Sequence, residues 1–455
     1  MTQATPFPRH VESANAFQKV GFSMLLMYLF VMYSRLFDVV LSSFEIPFII
    51  TSLVLAASLF SGGFQRSFQS PVGKVLFMFT MWMGICVPFS IWKGGSFPFF
   101  EFYLKAAISF VYVAGLIDSH RQIVRSIYAI AFAVVVLSMV ALLRGSMDSG
   151  RLFLAEGKFQ NPNDLANTLL LGLPFIWLAL KNSTQNVLFK IPPLILAVVV
   201  LYVITKTGSR GALIGFVVVL LFVFFAASSG DKLVIAGAAV LVLLIGAFVL
   251  PSGLRSRYLT FFAADEDTAM SESAITSSAA RTELAKRSFL MTLTHPLFGV
   301  GPGMFSEANQ QDMQAQGMHT ADVVTHNSYT TVSSEMGLPG IALYGALIVM
   351  SLRLATKVHK LTRVRKSKYW ASVANTAFCL RMSLIVYAVT SAFASVAYQS
   401  TLPTLAGLTV ALYATTMRDL ASENAQTVFA GNHAAQRGQP LSAGRRFADA
   451  GWQRT

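Results

Sequence analysis

The sequence predicts an all-α membrane protein with about twelve transmembrane helices. Of its 455 residues, 54% are hydrophobic and only 12% are charged, about half the charged fraction of an average soluble domain. The apolar residues form continuous runs, and roughly 20 apolar helical residues span a bilayer. Such runs favour helices, whose backbone groups are satisfied internally in lipid. The spans are expected at 19–37, 46–61, 75–92, 98–117, 124–143, 163–181, 188–205, 210–227, 232–250, 336–353, 373–396 and 401–417.

These spans divide the chain into five parts. A short N-terminal segment, 1–18, precedes nine spans in 19–250, and a polar segment of some 75 residues follows at 251–325. Three more spans occupy 326–417, and a polar tail of high Ala, Gln and Arg content, 418–455, is expected to be mobile. The first apolar run lacks a small-x-small cleavage site, so we expect it to be retained as a helix.

The distribution of basic residues predicts the orientation. With both termini in the cytoplasm, 21 of the 35 Lys and Arg residues lie on the cytoplasmic side, 12 lie on the opposite side, and Lys105 and Arg381 lie within helices. The segment 353–368 alone carries seven basic residues, and such clusters resist translocation. We therefore expect 251–325 to face the periplasm of a bacterial inner membrane.

The net charge of +14 narrows the class of partner. In a soluble chain this charge would favour binding to nucleic acid. Here the basic residues lie in short segments between apolar runs, which predicts contact with anionic membrane lipids instead.

The sequence contains no GxxxxGK[ST] motif for binding a nucleotide. Two candidates for metal ligands are weak. Asp265-Glu-Asp267 has the DxD pattern but lies in a Ser/Thr/Asp-rich stretch typical of a solvated loop, and His319 lacks a second metal ligand at helical spacing. Neither a cofactor nor a metal is predicted.

Two basic motifs are candidates for binding an anion. Arg210, flanked by Ser209 and Gly211, opens a predicted span, and a helix N-terminus with adjacent glycines suits a phosphate. The alternative is an arginine that reaches the membrane interface. Arg281 and Arg287 lie in a predicted helix from about Ala279 to Leu293. The alternative for this helix is an amphipathic segment lying on the membrane surface.

Two further motifs carry polar groups. His326, in Thr325-His-Asn-Ser-Tyr, lies at the predicted membrane boundary, where an imidazole suits a general base or a hydrogen-bonded interfacial residue. Asn161 and Asn163 open the predicted span 163–181, and the alternative there is a helix cap. Each motif is weak alone, but the predicted orientation places all four on the same side of the membrane.

In this order the motifs resemble the O-antigen ligase and O-antigen polymerase superfamily of bacterial inner membranes. The resemblance rests on Ser209-Arg-Gly211, on the Arg281 helix running into His295-Pro-Leu-Phe-Gly-Val-Gly, on His326-Asn-Ser-Tyr followed by Gly337-Leu-Pro-Gly340, and on Phe159-Gln-Asn-Pro-Asn. These motifs fall within 159–345, and the remaining helices match only in number and hydropathy. The resemblance implies a GT-C-like membrane glycosyltransferase with one large periplasmic loop that contains short helices.

The resemblance also implies a metal-independent reaction whose donor is a glycan on undecaprenyl diphosphate. Arg210 and Arg281 match the arginines that contact the donor diphosphate in the superfamily, and His326 matches its histidine, the favoured catalytic base or acceptor-orienting group. The supporting contacts are weaker matches, and they are Arg287, Asn161, Asn163, Ser209 and Gly211. The acceptor is a lipid A–core sugar in a ligase and another glycan repeat unit in a polymerase, and the sequence leaves both open.

Two other classes of protein remain as alternatives. A polysaccharide transporter or lipid-linked-glycan flippase also has about twelve helices, but it predicts polar groups at the membrane midplane and often two similar halves. A metal-dependent lipid-phosphate glycosyltransferase would use an acidic base, and Asp38 and Glu45 lie in the first predicted periplasmic loop without a basic cluster beside them. The clustering of polar motifs at one surface favours the O-antigen type of enzyme over both.

Overall fold

Helices dominate the protein, as the apolar runs predict. The computed structural model describes residues 16–39, 46–182, 187–226, 232, 254–255, 258, 269–318 and 323–436. The helices of this part are α1 Ala16–Ser34, α2 Leu36–Val39, α3 Ile46–Phe60, α4 Gly63–Ser67, α5 Pro71–Cys86, α6 Lys93–Leu116, α7 His120–Arg144, α8 Pro162–Asn182, α9 Ile191–Lys206, α10 Arg210–Ala226, α11 Ala269–Thr294, α12 Phe305–Ala315, α13 Ser328–Thr362, α14 Lys368–Thr390 and α15 Thr401–Gln436.

Eight helices within the described residues are long and apolar enough to cross a membrane. They are α1, α5, α6, α7, α8, α9, α13 and α14, and two shorter apolar helices, Ile46–Phe60 and Arg210–Phe225, accompany them. The all-α membrane class is thus confirmed, while the count of twelve spans stays a prediction. The predicted span 232–250 lies outside the described residues, apart from Lys232, and 401–417 lies inside the long helix α15.

Serine side chains begin three of these helices. Ser70 accepts a hydrogen bond from the backbone of Gly73 at the start of α5, Ser119 accepts one from Gln122 at the start of α7, and Ser367 accepts one from Trp370 at the start of α14. A serine in this position satisfies one of the amide groups that the first helical turn leaves unpaired. The boundaries of these helices are therefore encoded locally.

Helix α13 is central to the packing. It packs against α5, α11, α14 and α15, and its buried Tyr344 hydroxyl lies 3.0 Å from the hydroxyl of Tyr387 on α14. A buried hydroxyl needs such a partner, because an unpaired polar group in an apolar interior is costly. The His326 motif runs into the first residues of α13, so this packing fixes the position of that motif.

A loop from His295 to Gly303 is locked onto α13 at a break in the helix. Gly337 adopts φ 67° and ψ −169° inside α13, a backbone conformation that favours glycine. A Cβ atom at this position would lie 2.2 Å from the carbonyl oxygen of Leu297. Next to the break, Leu338 N donates to Pro296 O at 2.7 Å and Val300 N donates to Ser334 O at 2.8 Å. The loop His295–Gly303 and the Gly337 segment of α13 thus fix each other in position.

A small β-hairpin joins α7 to α8. Its strands, β1 Ser146–Asp148 and β2 Arg151–Phe153, pair antiparallel. The two residues between them, Ser149 and Gly150, have φ values of 47° and 72°, as in a type I′ turn, whose twist suits a two-residue hairpin. The sequence alone did not predict these strands. The hairpin places Arg151 beside the N-terminus of α8.

Candidate active site

Arg210 is held by a compact turn between α9 and α10. Gly208 has φ 61°, and Thr207 and Ser209 are buried. The Ser209 hydroxyl accepts a hydrogen bond from the backbone of Ala212 at 3.3 Å, so this serine caps α10 and Arg210 is the first residue of the helix. The amide groups and the dipole of this helix end add to the positive charge of Arg210.

Arg151 ties this turn to the start of α8. Its Nε donates to the carbonyl oxygen of Thr207 at 2.9 Å, and its Nη2 donates to Oδ1 of Asn163 at 2.9 Å. The fork of an arginine can make two such bonds in fixed geometry. One guanidinium therefore joins the hairpin, α8 and the turn that carries Arg210, and it brings a third arginine to this region.

The two asparagines of the Phe159–Asn163 motif have different roles. Asn161 Oδ1 accepts a hydrogen bond from the backbone of Asn163 at 2.9 Å, so Asn161 caps the start of α8, as the alternative interpretation of this motif predicts. Asn163 is buried and accepts the bond from Arg151. Asn161 thus acts on the helix end, and Asn163 acts through Arg151.

Helix α11 carries Arg281 and packs against the first half of α13. Ser288 donates to the carbonyl oxygen of Thr330 at 2.8 Å, and the hydroxyl of Thr292 lies 2.9 Å from that of Ser333. Arg281 lies seven residues before Ser288, on the same face of the helix. It is partly buried, and among the described residues its Nε has no hydrogen-bond partner. The guanidinium therefore retains hydrogen-bonding capacity.

His326 occupies a tight turn immediately before α13. Its φ is 51°, an uncommon conformation for a residue with a side chain, although histidine tolerates it better than most. The turn is fixed on its C-terminal side by Asn327, whose Oδ1 accepts hydrogen bonds from the backbone of Tyr329 at 2.9 Å and of Thr330 at 3.3 Å. On its N-terminal side the Thr325 hydroxyl donates to Asn327 O at 3.1 Å. The imidazole is thus attached to a well-braced backbone.

Electrostatics link the three residues. Burial, and then the charge of Arg210, lower the pKa of Arg281. Burial, and then the charge of Arg281, lower the pKa of His326 to about 4. Arg281 thus lies close enough to both Arg210 and His326 for its charge to act on each. At neutral pH the site combines two guanidinium groups in mutual repulsion, which an anion would relieve, with a neutral imidazole able to accept a proton.

The profile of the family described as O-antigen ligase matches residues 195–345. This segment contains Arg210, Arg281 and His326, and it runs from α9 to the middle of α13. The resemblance to the O-antigen ligase family is confirmed. No curated protein matches the chain.

We call residues 195–345, which match the O-antigen ligase family, the O-antigen ligase segment. Inside this segment, the loop His295–Gly303 has a structural role. Its glycines at 299, 301 and 303 all have positive φ, and Glu335 of α13 accepts hydrogen bonds from the backbone of Gly303 at 2.9 Å and of Phe305 at 3.3 Å. The buried Glu335 carboxylate therefore caps α12 and fixes it to α13. The two partners are 32 and 30 residues from Glu335 in the chain, so no local pattern predicts this contact.

A cavity of about 270 Å³ lies beside the turn that carries His326. Thr325, the residue before the histidine, lines it together with Thr331 and Glu335. Aromatic rings form much of the remaining wall, and they belong to Phe99, Phe102, Phe305 and Tyr398. The O-antigen ligase segment therefore borders a partly apolar cavity one residue away from the candidate base.

Three supporting residues of the O-antigen ligase motifs have structural contacts. Ser209 caps α10, and Gly211 lies where a Cβ atom would come within 2.8 Å of Cβ of Phe393, so it permits close packing of the chain. Arg287 forms an ion pair with Glu283 at 3.1 Å, and its Nη1 donates to Asn309 Oδ1 at 3.1 Å. Arg287 therefore connects α11 to α12, whereas the Nε of Arg281 has no such partner among the described residues.

Asp265-Glu-Asp267, His319 and Glu45 are outside the described residues, as is the side chain of Asp38. Within the described ranges, no group of three His, Cys, Asp or Glu side chains is arranged to hold a metal ion. The polar groups that do come together near Arg210 and His326 are arginines, an asparagine and a histidine, which suit an anionic ligand rather than a cation.

Proposed function

We propose that this protein transfers a glycan from undecaprenyl diphosphate to a sugar hydroxyl at the periplasmic face of the bacterial inner membrane. The observation that carries the proposal is that Arg281 lies within electrostatic range of both Arg210 and His326: the charge of Arg210 acts on Arg281, and the charge of Arg281 acts on His326. All three residues lie in the segment that matches the O-antigen ligase family. The acceptor is the sugar of a lipid A–core in a ligase or of another glycan in a polymerase, and both remain within the proposal.

Arg210 and Arg281 bind the diphosphate of the donor. Two partly buried guanidinium groups repel one another, and an anion between them replaces this repulsion by attraction. The planar fork of arginine donates two parallel hydrogen bonds to phosphate oxygens, and it stays charged at a membrane surface. The amide groups at the start of α10 add further donors. Arg151 fixes the turn from which Arg210 projects.

His326 accepts the proton in the transfer step. The acceptor oxygen forms a bond to the anomeric carbon of the donor sugar, and the bond from that carbon to the phosphate oxygen breaks. Its electron pair leaves with the diphosphate, where the arginines stabilise the charge, while the hydroxyl proton moves to a nitrogen of His326. The step needs neither a nucleotide nor a metal, because diphosphate is already a good leaving group.

Binding of the donor also tunes the base. In the protein alone, the charge of Arg281 helps to lower the pKa of His326 to about 4, and a base of such low pKa is weak near neutral pH. A bound diphosphate offsets this positive charge and favours the protonated imidazole. The histidine therefore becomes a stronger base once the donor is in place, which limits wasteful chemistry in its absence.

A transfer assay tests the proposal. Purified protein in lipid nanodiscs is given a glycan on undecaprenyl diphosphate and an acceptor, and the product is measured by mass spectrometry. Arg210→Lys and Arg281→Lys should each lower kcat/KM by about tenfold or more, because the charge is kept but the fork is lost. Arg144→Lys is the matched control, since Arg144 is exposed at the end of α7, and it should behave like the wild type.

The same assay contains outcomes that contradict the proposal. Wild-type rates in both arginine variants would remove them from the mechanism. His326→Ala should still insert into the membrane and bind donor but transfer poorly, by about 10²–10⁴-fold for a lost general base. Loss of activity in EDTA would contradict a metal-independent reaction. Transport of the donor across the bilayer without any product would favour the transporter alternative.

A further inference from the structure

A second basic site lies away from the candidate active site, toward the opposite ends of α8 and α10. It is built around Phe378 of α14, whose ring centroid lies 5.0 Å from that of Trp177 on α8 and 5.1 Å from that of Phe222 on α10. We call these three rings the Phe378 cluster. Trp177 and Phe222 are near the C-terminal ends of their helices, whereas the Arg210 turn and Asn163 are near the N-terminal ends of the same helices.

Arg381 lies within a membrane-spanning helix and stacks on this cluster. Its guanidinium carbon is 4.8 Å from the centroid of the Phe222 ring and 5.5 Å from that of the Phe378 ring. Its Nε atom is buried and has no hydrogen-bond partner among the described residues. No ion pair in the described part of the chain involves Arg381. The rings hold the guanidinium by cation–π contact, but they do not neutralise it.

Other basic side chains lie beside the same cluster. Lys181 lies over the Trp177 ring, with its Nζ 5.9 Å from the centroid. The His359 ring of α13 is 5.8 Å from that of Phe378, and its Nδ1 is bonded to the carbonyl oxygen of Ala374. Arg363, at the end of α13, lies close enough for its charge to act on Arg381. Lys181 and Arg363 are exposed. Four basic side chains, from two helix ends and one helix interior, thus lie at or near one aromatic surface.

This arrangement has the character of an anion site facing the lipid. An ionisable side chain inside a membrane helix is expensive unless it meets a partner, and it therefore marks a site of interaction. The arginine fork matches phosphate oxygens, and the adjacent rings offer apolar surface to a lipid chain. Basic pockets between transmembrane helices bind anionic headgroups in this way. The segment 353–368, with seven basic residues, adds positive potential at the same end.

We propose that the surface formed by Arg381, the Phe378 cluster, Lys181 and Arg363 binds the phosphate of an anionic phospholipid. The guanidinium of Arg381 meets the phosphate, Lys181 and Arg363 contact the outer part of the headgroup, and the acyl chains lie along α10 and α14. The site is separate from the one that carries the proposed glycan transfer. It therefore stands or falls independently of that activity.

Native mass spectrometry of the purified full-length chain tests this site. The protein is titrated with an equimolar mixture of phosphatidylglycerol and phosphatidylethanolamine with identical acyl chains. The wild type should retain the anionic lipid preferentially, because the ammonium group of phosphatidylethanolamine offsets the attraction of its phosphate to Arg381. Arg381→Gln should lower that preference about tenfold, the loss of one charge-assisted contact. Arg381→Lys should give an intermediate value. Arg353→Gln is the matched control. Arg353 is exposed on α13, and its substitution removes the same charge at a different position.

Three results would overturn the proposal. The first is an unchanged preference in Arg381→Gln. The second is an equal fall in Arg353→Gln, which would indicate diffuse attraction to a basic surface. The third is displacement of the lipid by millimolar inorganic phosphate, which would indicate a site for the free anion. If Arg381→Gln aggregates on size exclusion, the double variant Lys181→Gln with Arg363→Gln keeps the buried stack intact and should lower the preference in the same way.

Discussion

The backbone of His326 adopts a conformation that costs energy. With φ 51° it lies in the left-handed region, where a residue with a side chain is strained by about 1–3 kcal/mol. Its neighbours maintain this conformation, because Asn327 caps α13 and Thr325 bonds to Asn327. Such strain is retained mainly where a side chain must point in one direction. The geometry supports the role proposed for the imidazole.

The acid limb of the pH–rate profile should report on His326. Its pKa in the protein alone is lowered from 6.5 to about 4 by burial and by Arg281, so the imidazole loses its proton at lower pH than a free one. We expect kcat/KM, which reports the free enzyme, to fall as the pH drops through about 4. The acid limb of the kcat profile should lie at higher pH than that of kcat/KM, because the bound diphosphate raises the pKa of His326.

The profile of His326→Ala is the control for this prediction. Its residual activity should lack the acid limb, since the titrating group is gone. Arg281→Lys keeps the positive charge and should leave the free-enzyme limb near its wild-type position. A limb in kcat at lower pH than the limb in kcat/KM would contradict the proposed effect of the donor on the base. So would an acid limb that persists unchanged without the imidazole.

At the scale of elements, the β1–β2 hairpin is the part that sequence reasoning missed. Each strand has three residues, too few to show an alternating pattern. The Ser149-Gly150 pair is a turn signal, but it lies between two predicted spans, where a loop is expected anyway. The partners of Arg151 are 12 and 56 residues away in the chain. No local pattern connects residues at these separations, so only the fold identifies this arginine.

Arg151 should be a positioning residue for Arg210. Arg151→Ala removes the bonds to Thr207 and Asn163, and since a hydrogen bond from a charged group contributes about 1.5–3 kcal/mol, we expect kcat/KM to fall about tenfold or more. Arg151→Lys should recover part of the loss. Asn163→Ala should have a smaller effect, and combining it with Arg151→Ala should add little, because the two residues share one bond.

The split between kinetic constants separates this role from general loss of structure. A loosened Arg210 turn should raise KM for the donor while the melting temperature changes little. Arg144→Ala, an exposed arginine at the end of α7, should change neither quantity. Strict additivity of Arg151→Ala and Asn163→Ala would contradict the coupling. An equal loss of stability and activity would instead indicate that the hairpin only supports the fold.

Helix α13 shows what motifs do and do not predict. The apolar run predicted a span from 336 to 353, but the helix extends from Ser328 to Thr362, with a break at Gly337. Hydropathy misses the first turns because they are polar, and the motif Gly337-Leu-Pro-Gly340 carries the family resemblance but predicts neither the break nor its partner. The partner is the loop at Pro296 and Leu297. Long-range backbone pairing of this kind leaves no periodic signal in a sequence.

For the whole molecule, the balance of apolar and charged residues was sufficient to predict the class. Continuous apolar runs predicted most of the helices because lipid permits few alternatives. The proximity of Arg210, Arg281 and His326 followed only from the resemblance to a family, since spacing alone does not bring α10, α11 and the start of α13 together. The contact of Arg381 with the Phe222 and Phe378 rings likewise depends on how α10 packs against α14.

The orientation of the whole chain decides which side of the membrane the candidate active site faces. Seven basic residues in 353–368 resist translocation, which predicts that α12 and the His326 turn lie in the periplasm. Both native cysteines, Cys86 and Cys379, are buried, so single cysteines introduced at exposed positions can be labelled selectively. Gln314→Cys on α12 and Lys366→Cys in the basic segment are suitable, because both positions are exposed.

A membrane-impermeant maleimide added to cells with a permeabilised outer membrane should label Gln314→Cys at once and Lys366→Cys only after lysis. The unsubstituted protein is the control and should stay unlabelled, since its thiols are buried. The reverse pattern would put Arg281 and His326 in the cytoplasm, where the proposed periplasmic acceptor is absent, and would exclude the proposed transfer. It would also move Arg381 and its basic neighbours to the outer leaflet, yet a lipid phosphate could still bind there, because that site depends on local charge and not on the side of the membrane.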